Sequence, residues 1–116
     1  MERKVTLSML INIYGKLLTD NQLSILADYA DNDLSLSEIA ENNNITRQAV
    51  NDIIKKGENK LLEYESKLGI MKKTLDEEKQ IQKILIELGQ IKSNSSQKEI
   101  DKILEGVRKQ LVSLNA

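Results

Sequence analysis

The chain has 116 residues, of which 40% are hydrophobic and 30% charged, and its net charge is -1, which is typical of a single soluble globular protein. Because it contains no Cys and no His, we exclude disulfides, thiolate nucleophiles, Ser-His-Asp catalysis and metal sites built from Cys or His. We therefore expect a protein that is not an enzyme and holds no cofactor or metal. The lack of Cys agrees with a cytoplasmic location.

An all-α fold is predicted, because the chain has no Pro and no strand-like alternation of apolar residues. No run of 18 apolar residues is present, so no membrane span is predicted. The first helix is predicted from about Lys4 to Leu18. Gly15 lies inside that segment and is expected to permit close contact with a neighbouring element. A capping box formed by Thr19 and Gln22 then begins the second helix.

The segment 34–50 predicts a helix-turn-helix. Ser35 and Glu38 form a second capping box, which begins a short helix. Ala40 is the small residue that such a motif needs where its two helices cross. The asparagines at 42–44 are predicted to form the turn, because asparagine tolerates left-handed backbone better than most residues.

Thr46 is predicted to cap the second helix of the motif, which can run from Arg47 to about Leu68. At 1.5 Å per residue this helix is about 33 Å long. That length exceeds what a compact three-helix core needs, so its second half is expected to pack on something else.

The start of this second helix carries the candidate nucleic-acid-binding residues. Arginine pairs with guanine, glutamine and asparagine pair with adenine, and lysines contact phosphates. Against such a role, the segment from Ser35 to Lys67 has 5 basic and 6 acidic residues, so charge alone predicts weak attraction to duplex DNA. A solvated or protein-binding face therefore remains the alternative for the candidate residues, which are Arg47, Gln48, Asn51, Lys55, Lys56 and Lys60.

The C-terminal part predicts a helical hairpin, so that residues 1–70 form a helix-turn-helix domain and residues 71–116 a second segment. Gly69 is a predicted helix stop, and the next helix is predicted from about Met71 to Leu88. A third capping box at 96–99 begins the last helix. Its apolar residues recur at steps of 4, 3, 4 and 3, and they are Ile100, Leu104, Val107, Leu111 and Leu114.

This narrow apolar stripe must be covered by another surface. We expect a homodimer in which the long helix and the C-terminal helices form the contact. Two alternatives remain open. The stripe can fold back on the preceding helix of the same chain, or it can dock on a different protein.

Four runs of sequence together resemble the YlxM family of small bacterial helix-turn-helix proteins. The runs are Tyr14-Gly15-Lys16-Leu17-Leu18-Thr19, Leu34-Ser35-Leu36-Ser37-Glu38-Ile39-Ala40, Ile45-Thr46-Arg47-Gln48-Ala49-Val50 and Lys60-Leu61-Leu62-Glu63-Tyr64-Glu65-Ser66-Lys67-Leu68-Gly69. They cover about residues 3–70. The resemblance implies a motif similar to the DNA-binding region of sigma factors.

The family's gene characteristically lies beside that of the signal recognition particle GTPase. The resemblance therefore implies an accessory or regulatory protein of the signal recognition particle pathway, with the GTPase or the particle's RNA as partner. A DNA-binding transcription regulator that uses the helix-turn-helix is the alternative function, and a purely structural dimer module is a third. Arg47, Gln48 and Asn51 would read the bases in the DNA-binding case.

Overall fold

Six α-helices account for most of residues 2–114, which are the residues described by the computed structural model. They are α1 (Arg3–Tyr14), α2 (Asp20–Ala30), α3 (Leu36–Asn43), α4 (Arg47–Leu68), α5 (Ile70–Gly89) and α6 (Gln97–Leu114). The all-α prediction is confirmed. No helix within 2–114 has the length and apolar character needed to cross a membrane.

The chain divides into two compact units, the first ending at Met71 and the second beginning at Lys72. The core of the first unit lies among α1, α2, α3 and α4. Its fully buried side chains come from all four helices, so each amphipathic face has found a partner. The buried residues of this core are Leu7, Leu10, Tyr14, Leu18, Ile25, Leu26, Ile39, Ala40, Val50, Ile54 and Leu61.

The second half of α4 packs on α1. Leu61 is completely buried, and the rings of Tyr14 and Tyr64 have centroids 6.0 Å apart. α1 is therefore the element on which the second half of α4 was expected to pack. It extends the core beyond the helix-turn-helix and so accounts for the length of α4.

The first helix is shorter than the sequence predicts. It ends at Tyr14, and Gly15–Leu17 form a short 3-10 turn instead of continuing to Leu18. A Cβ on Gly15 would lie only 2.9 Å from Leu23 Cδ1. The close approach expected at this glycine is present, and it occurs where the α-helix ends.

Tyr14 helps to hold the first two residues of α5, which belong to the first unit. It is 2% exposed, and its hydroxyl donates to Glu65 Oε1 at 2.6 Å and accepts from the Ile70 N–H at 3.2 Å. Glu65 Oε1 also accepts from the Met71 N–H at 2.9 Å. These two residues therefore satisfy backbone donors in the first turn of α5, which have no partner within their own helix.

Replacing Tyr14 with phenylalanine should make the free energy of unfolding depend less on pH in the alkaline range. Burial, followed by the hydrogen bond to Glu65, raises the pKa of the Tyr14 phenol above its ordinary value of 10.0. The unfolded chain therefore loses this proton first, and stability falls as the pH rises above that value. Denaturant titrations of wild type and Tyr14→Phe across this range would test the prediction, and parallel pH profiles would contradict it.

In the second unit, α5 and α6 form an antiparallel hairpin joined by residues 90–96. Ser96 Oγ accepts from the Glu99 N–H at 3.2 Å, so the predicted serine cap begins α6. Gln80 donates to the Gln110 carbonyl at 3.1 Å, and Gln110 donates to Glu87 Oε1 at 2.6 Å. These polar contacts join the two helices along one side.

Candidate nucleic-acid interface

The turn of the helix-turn-helix is tighter than predicted. Asn42 and Asn43 belong to α3, so only Asn44 forms the left-handed turn, with φ 55° and ψ 41°. The Asn43 side chain donates to the Ile39 carbonyl at 2.7 Å, and the Ile45 N–H donates to the Ala40 carbonyl at 3.1 Å. Because these bonds satisfy carbonyls near the end of α3, a single left-handed residue is enough to reverse the chain.

Side-chain caps hold both helices of the motif. Ser35 Oγ accepts from the Glu38 N–H and Glu38 Oε1 accepts from the Ser35 N–H, both at 3.1 Å, as the predicted capping box requires. Thr46 Oγ1 accepts from the Ala49 N–H at 3.0 Å and begins α4. Ala40 is buried, as expected for the crossing of the two helices. These local contacts fix which side of α4 faces the core.

The structure places the start of α4 outside the core. Arg47 and Gln48 are exposed, and Asn51 is half-buried. Gln48 Nε2 donates to Asp52 Oδ1 at 3.0 Å, one turn along the helix. Gln48 must break this hydrogen bond to Asp52 before its amide can bond to the edge of a base.

Three exposed lysines continue the surface along α4. Lys55 lies seven residues after Gln48, so it falls on the same face of the helix. Lys56 and Lys60 are one turn apart on the adjoining side. Five of the six predicted residues are thus exposed and Asn51 is half-buried, and together they extend around the side of α4 that faces away from the core.

Most carboxylates of Ser35–Lys67 have a partner within the chain, and ion pairs neutralise those of Glu58 and Glu63. Glu58 pairs with Arg3 at 2.9 Å, and Glu63 pairs with Lys67 at 3.2 Å. Glu38 closes the α3 cap, Asp52 accepts from Gln48, and Glu65 holds Tyr14. Five of the six acids in Ser35–Lys67 thus have a partner within the chain.

Unlike Glu58 and Glu63, the basic residues of the α4 surface have no ion-pair partner among residues 2–114. Within residues 2–114, none of the four has a carboxylate oxygen within 4.0 Å; they are Arg47, Lys55, Lys56 and Lys60. The Arg3–Glu58 pair contributes to this difference, because it neutralises an acid of α4 with a base from α1, 55 residues away. The exposed face of α4 is therefore more positive than the composition of the segment indicates.

The predicted stripe of α6 is covered only in part. Val107 is buried, Ile100 and Leu114 are half-buried, and Leu104 and Leu111 are 46% and 49% exposed. A matching stripe lies on α5, one of the C-terminal helices expected at the dimer contact, although none of its residues was predicted as part of the interface. It consists of Ile81, Leu85 and Leu88, whose steps of 4 and 3 are the signal that could have identified it.

Comparison with known proteins finds that residues 1–103 match the family model of UPF0122, the helix-turn-helix proteins described as YlxM / p13 like. A UPF0122 protein of Clostridium botulinum is 50% identical over 88 residues, 76% of this chain and 81% of the relative. One of Clostridium kluyveri is 41% identical over 103 residues, 89% and 93% of the two chains. One of Malacoplasma penetrans is 60% identical over 62 residues, 53% and 58% of the two chains.

Proposed function

Because this chain belongs to the UPF0122 family of YlxM/p13-like helix-turn-helix proteins, we propose that it is a regulatory protein of the signal recognition particle pathway. It acts by binding, through the exposed face of α4, the particle's RNA or the surface that RNA and GTPase form together. It performs no chemistry of its own in this role.

The observation that carries the proposal is the set of basic side chains on α4 that have no ion-pair partner among residues 2–114. Basic residues paired within the chain gain little when they meet a phosphate, because they must first release a carboxylate, whereas unpaired ones displace only water and counterions. Arg47 and the lysines at 55, 56 and 60 are therefore available for phosphates.

Two features favour a ribonucleoprotein over bare duplex DNA. The whole motif is close to neutral, which keeps long-range attraction to any duplex low. A partner that offers both phosphates and a protein surface can also contact the uncharged polar side chains of α4, such as Gln48 and Asn51. The genetic association that the family resemblance implies supports the particle as that partner.

The direct test is a binding titration with purified components. We expect the protein to bind the particle's RNA, or the RNA with its GTPase, more tightly than a random duplex of equal length at the same salt concentration. Fluorescence anisotropy with labelled RNA measures this, and a pull-down with the GTPase alone separates the two partners. No binding to RNA, GTPase or their complex at low salt would contradict the proposal.

A DNA-binding transcription regulator is the second candidate function. It is favoured by the residue types at the exposed start of α4, where Arg47, Gln48 and Asn51 match those that read guanine and adenine. Such residues at the start of a recognition helix are the ones that reach base edges in helix-turn-helix complexes.

If the protein reads DNA, Arg47→Ala should relax sequence preference. We expect a loss of about 1–3 kcal/mol in binding to the selected sequence and a smaller loss on random duplex. Selection from a random duplex library, followed by titration of both sequences, measures the two losses. Lys102→Ala removes an exposed basic side chain from α6 that has no role in the proposed site, and it is the control. Equal losses on both sequences would show that Arg47 contacts phosphate only.

A further inference from the structure

The second unit hides few of its apolar side chains. In α5 and α6 only Ile84 and Val107 are buried, at 6% and 7% exposure. Two helices form a single layer, and an amphipathic layer needs a second layer to cover it. Seven large apolar side chains of these helices within the second unit are 38–66% exposed, namely Ile81, Leu85, Ile86, Leu88, Leu104, Leu111 and Val112.

Five of these side chains lie on one side of the hairpin. Around the axis of α5, the stripe formed by Ile81, Leu85 and Leu88 lies about 110° from Gln80 and Glu87, which are the residues that contact α6. Around the axis of α6, Leu104 and Leu111 lie about 110° from Gln110. The direction of this rotation, viewed from the N-terminus of each helix, is the same as on α5. Because the helices are antiparallel, equal rotations bring both stripes to the same side. We call this surface the apolar face; it consists of Ile81, Leu85, Leu88, Leu104 and Leu111.

We propose that the apolar face binds the apolar face of a second copy of this chain, so that two hairpins form a four-helix bundle with two-fold symmetry. The two-fold axis runs along the hairpins, and α5 of one copy lies against α6 of the other. All neighbouring helices in this bundle are antiparallel, as in up-and-down bundles.

Charge on the two edges of the apolar face favours a second copy as the occupant. Glu78 lies at the α5 edge and Arg108 at the α6 edge, and both are exposed. Each lies two residues before a member of the Gln80–Gln110 contact, so their positions along the hairpin axis differ by about one helical turn. Within one hairpin, however, they lie on opposite edges. The two-fold axis brings Glu78 of each copy to the same edge as Arg108 of the other.

The size of the face also suits such a contact. Helices of 20 and 18 residues are about 30 and 27 Å long, and each is about 10 Å wide. Together they present on the order of 600 Å² in projection, and surface relief raises the accessible area toward the roughly 800 Å² that each partner buries in a standard interface. A hairpin pair is therefore large enough for a stable dimer.

The test uses neighbouring residues as matched variants. Leu85→Glu changes the apolar face, whereas Ile86→Glu makes the same change at the next residue, which is 64% exposed and points away from the face. Each substitution is present twice in a dimer, so we expect Leu85→Glu to raise the dissociation constant by about 100-fold or more. Ile86→Glu should change it by less than about threefold.

Sedimentation velocity from low to hundreds of micromolar measures these constants, and circular dichroism checks that both variants remain helical. A wild-type monomer throughout this range would overturn the proposal, as would equal effects of the two variants. Glu78→Arg and Arg108→Glu should each weaken the dimer, and the double variant should recover most of the loss. No recovery would overturn the pairing of the two edges.

Discussion

Gly57→Val is expected to lower the free energy of unfolding by about 3 kcal/mol, the upper end of the usual cost of overpacking a core. Gly57 is buried in α4 where this helix crosses α2. A Cβ at this position would overlap Leu26 Cδ1 and lie 3.3 Å from Leu26 Cγ. Because Leu26 is completely buried, it cannot turn toward solvent, and the two helices must move apart. Denaturant unfolding followed by circular dichroism measures the loss.

Gly106→Val is the matched control, because it also replaces a glycine inside a helix. The nearest atom to a Cβ at Gly106 is Glu87 Oε2, at an ordinary contact distance of 3.5 Å. We expect a change of no more than about 0.5 kcal/mol there, since valine is a slightly better helix former than glycine. In addition, Leu26→Ala should cost less in the Gly57→Val background than in the wild type. A Gly57→Val protein as stable as the wild type would contradict the crossing seen here.

Replacing Lys55, Lys56 and Lys60 together by glutamine is expected to weaken RNA binding by on the order of 100-fold at about 0.1 M salt, if each lysine contacts one phosphate. The expectation follows from counterion release, in which three contacts to a single strand contribute a slope of about 2 in log affinity against log salt. The variant should therefore lose both affinity and most of its salt dependence. Anisotropy titrations at several salt concentrations measure both quantities.

A second triple variant controls for the change in net charge. Lys98, Lys102 and Lys109 are exposed lysines of α6, and glutamine at these positions alters the total charge equally. This variant should bind RNA with an affinity within about threefold of the wild type, because its three lysines are not among the side chains proposed to contact phosphates. If both triple variants lost affinity equally, the α4 surface would not be the binding site.

Features governed by neighbours in sequence could be predicted. The capping boxes at Thr19 and Ser35, the threonine cap of α4 and the stop at Gly69 all depend on residues within four positions of one another, and the structure contains each of them. The helix-turn-helix follows from these signals, because caps and a left-handed asparagine leave the chain few alternatives between two short helices.

Features governed by distant residues could not be predicted. Leu23 packs against Gly15 where α1 ends, and periodicity alone gives no sign of that contact. The positive character of α4 likewise depends on Arg3, which lies 55 residues from the carboxylate that it pairs with. Counting charges along the segment therefore underestimates the positive charge on the exposed face of α4, and the six candidate residues on that face stay a prediction.

The positions of the tyrosines, two of which form the Tyr14–Tyr64 contact, have a practical consequence for spectroscopy. The chain has no Trp or Phe, and its three tyrosines, at 14, 29 and 64, all lie in the first unit. Intrinsic fluorescence and near-ultraviolet dichroism therefore report on that unit alone, whereas far-ultraviolet dichroism records helix in both units. Comparing the two signals during denaturation reveals whether the hairpin melts separately from the rest, without any label or added chromophore.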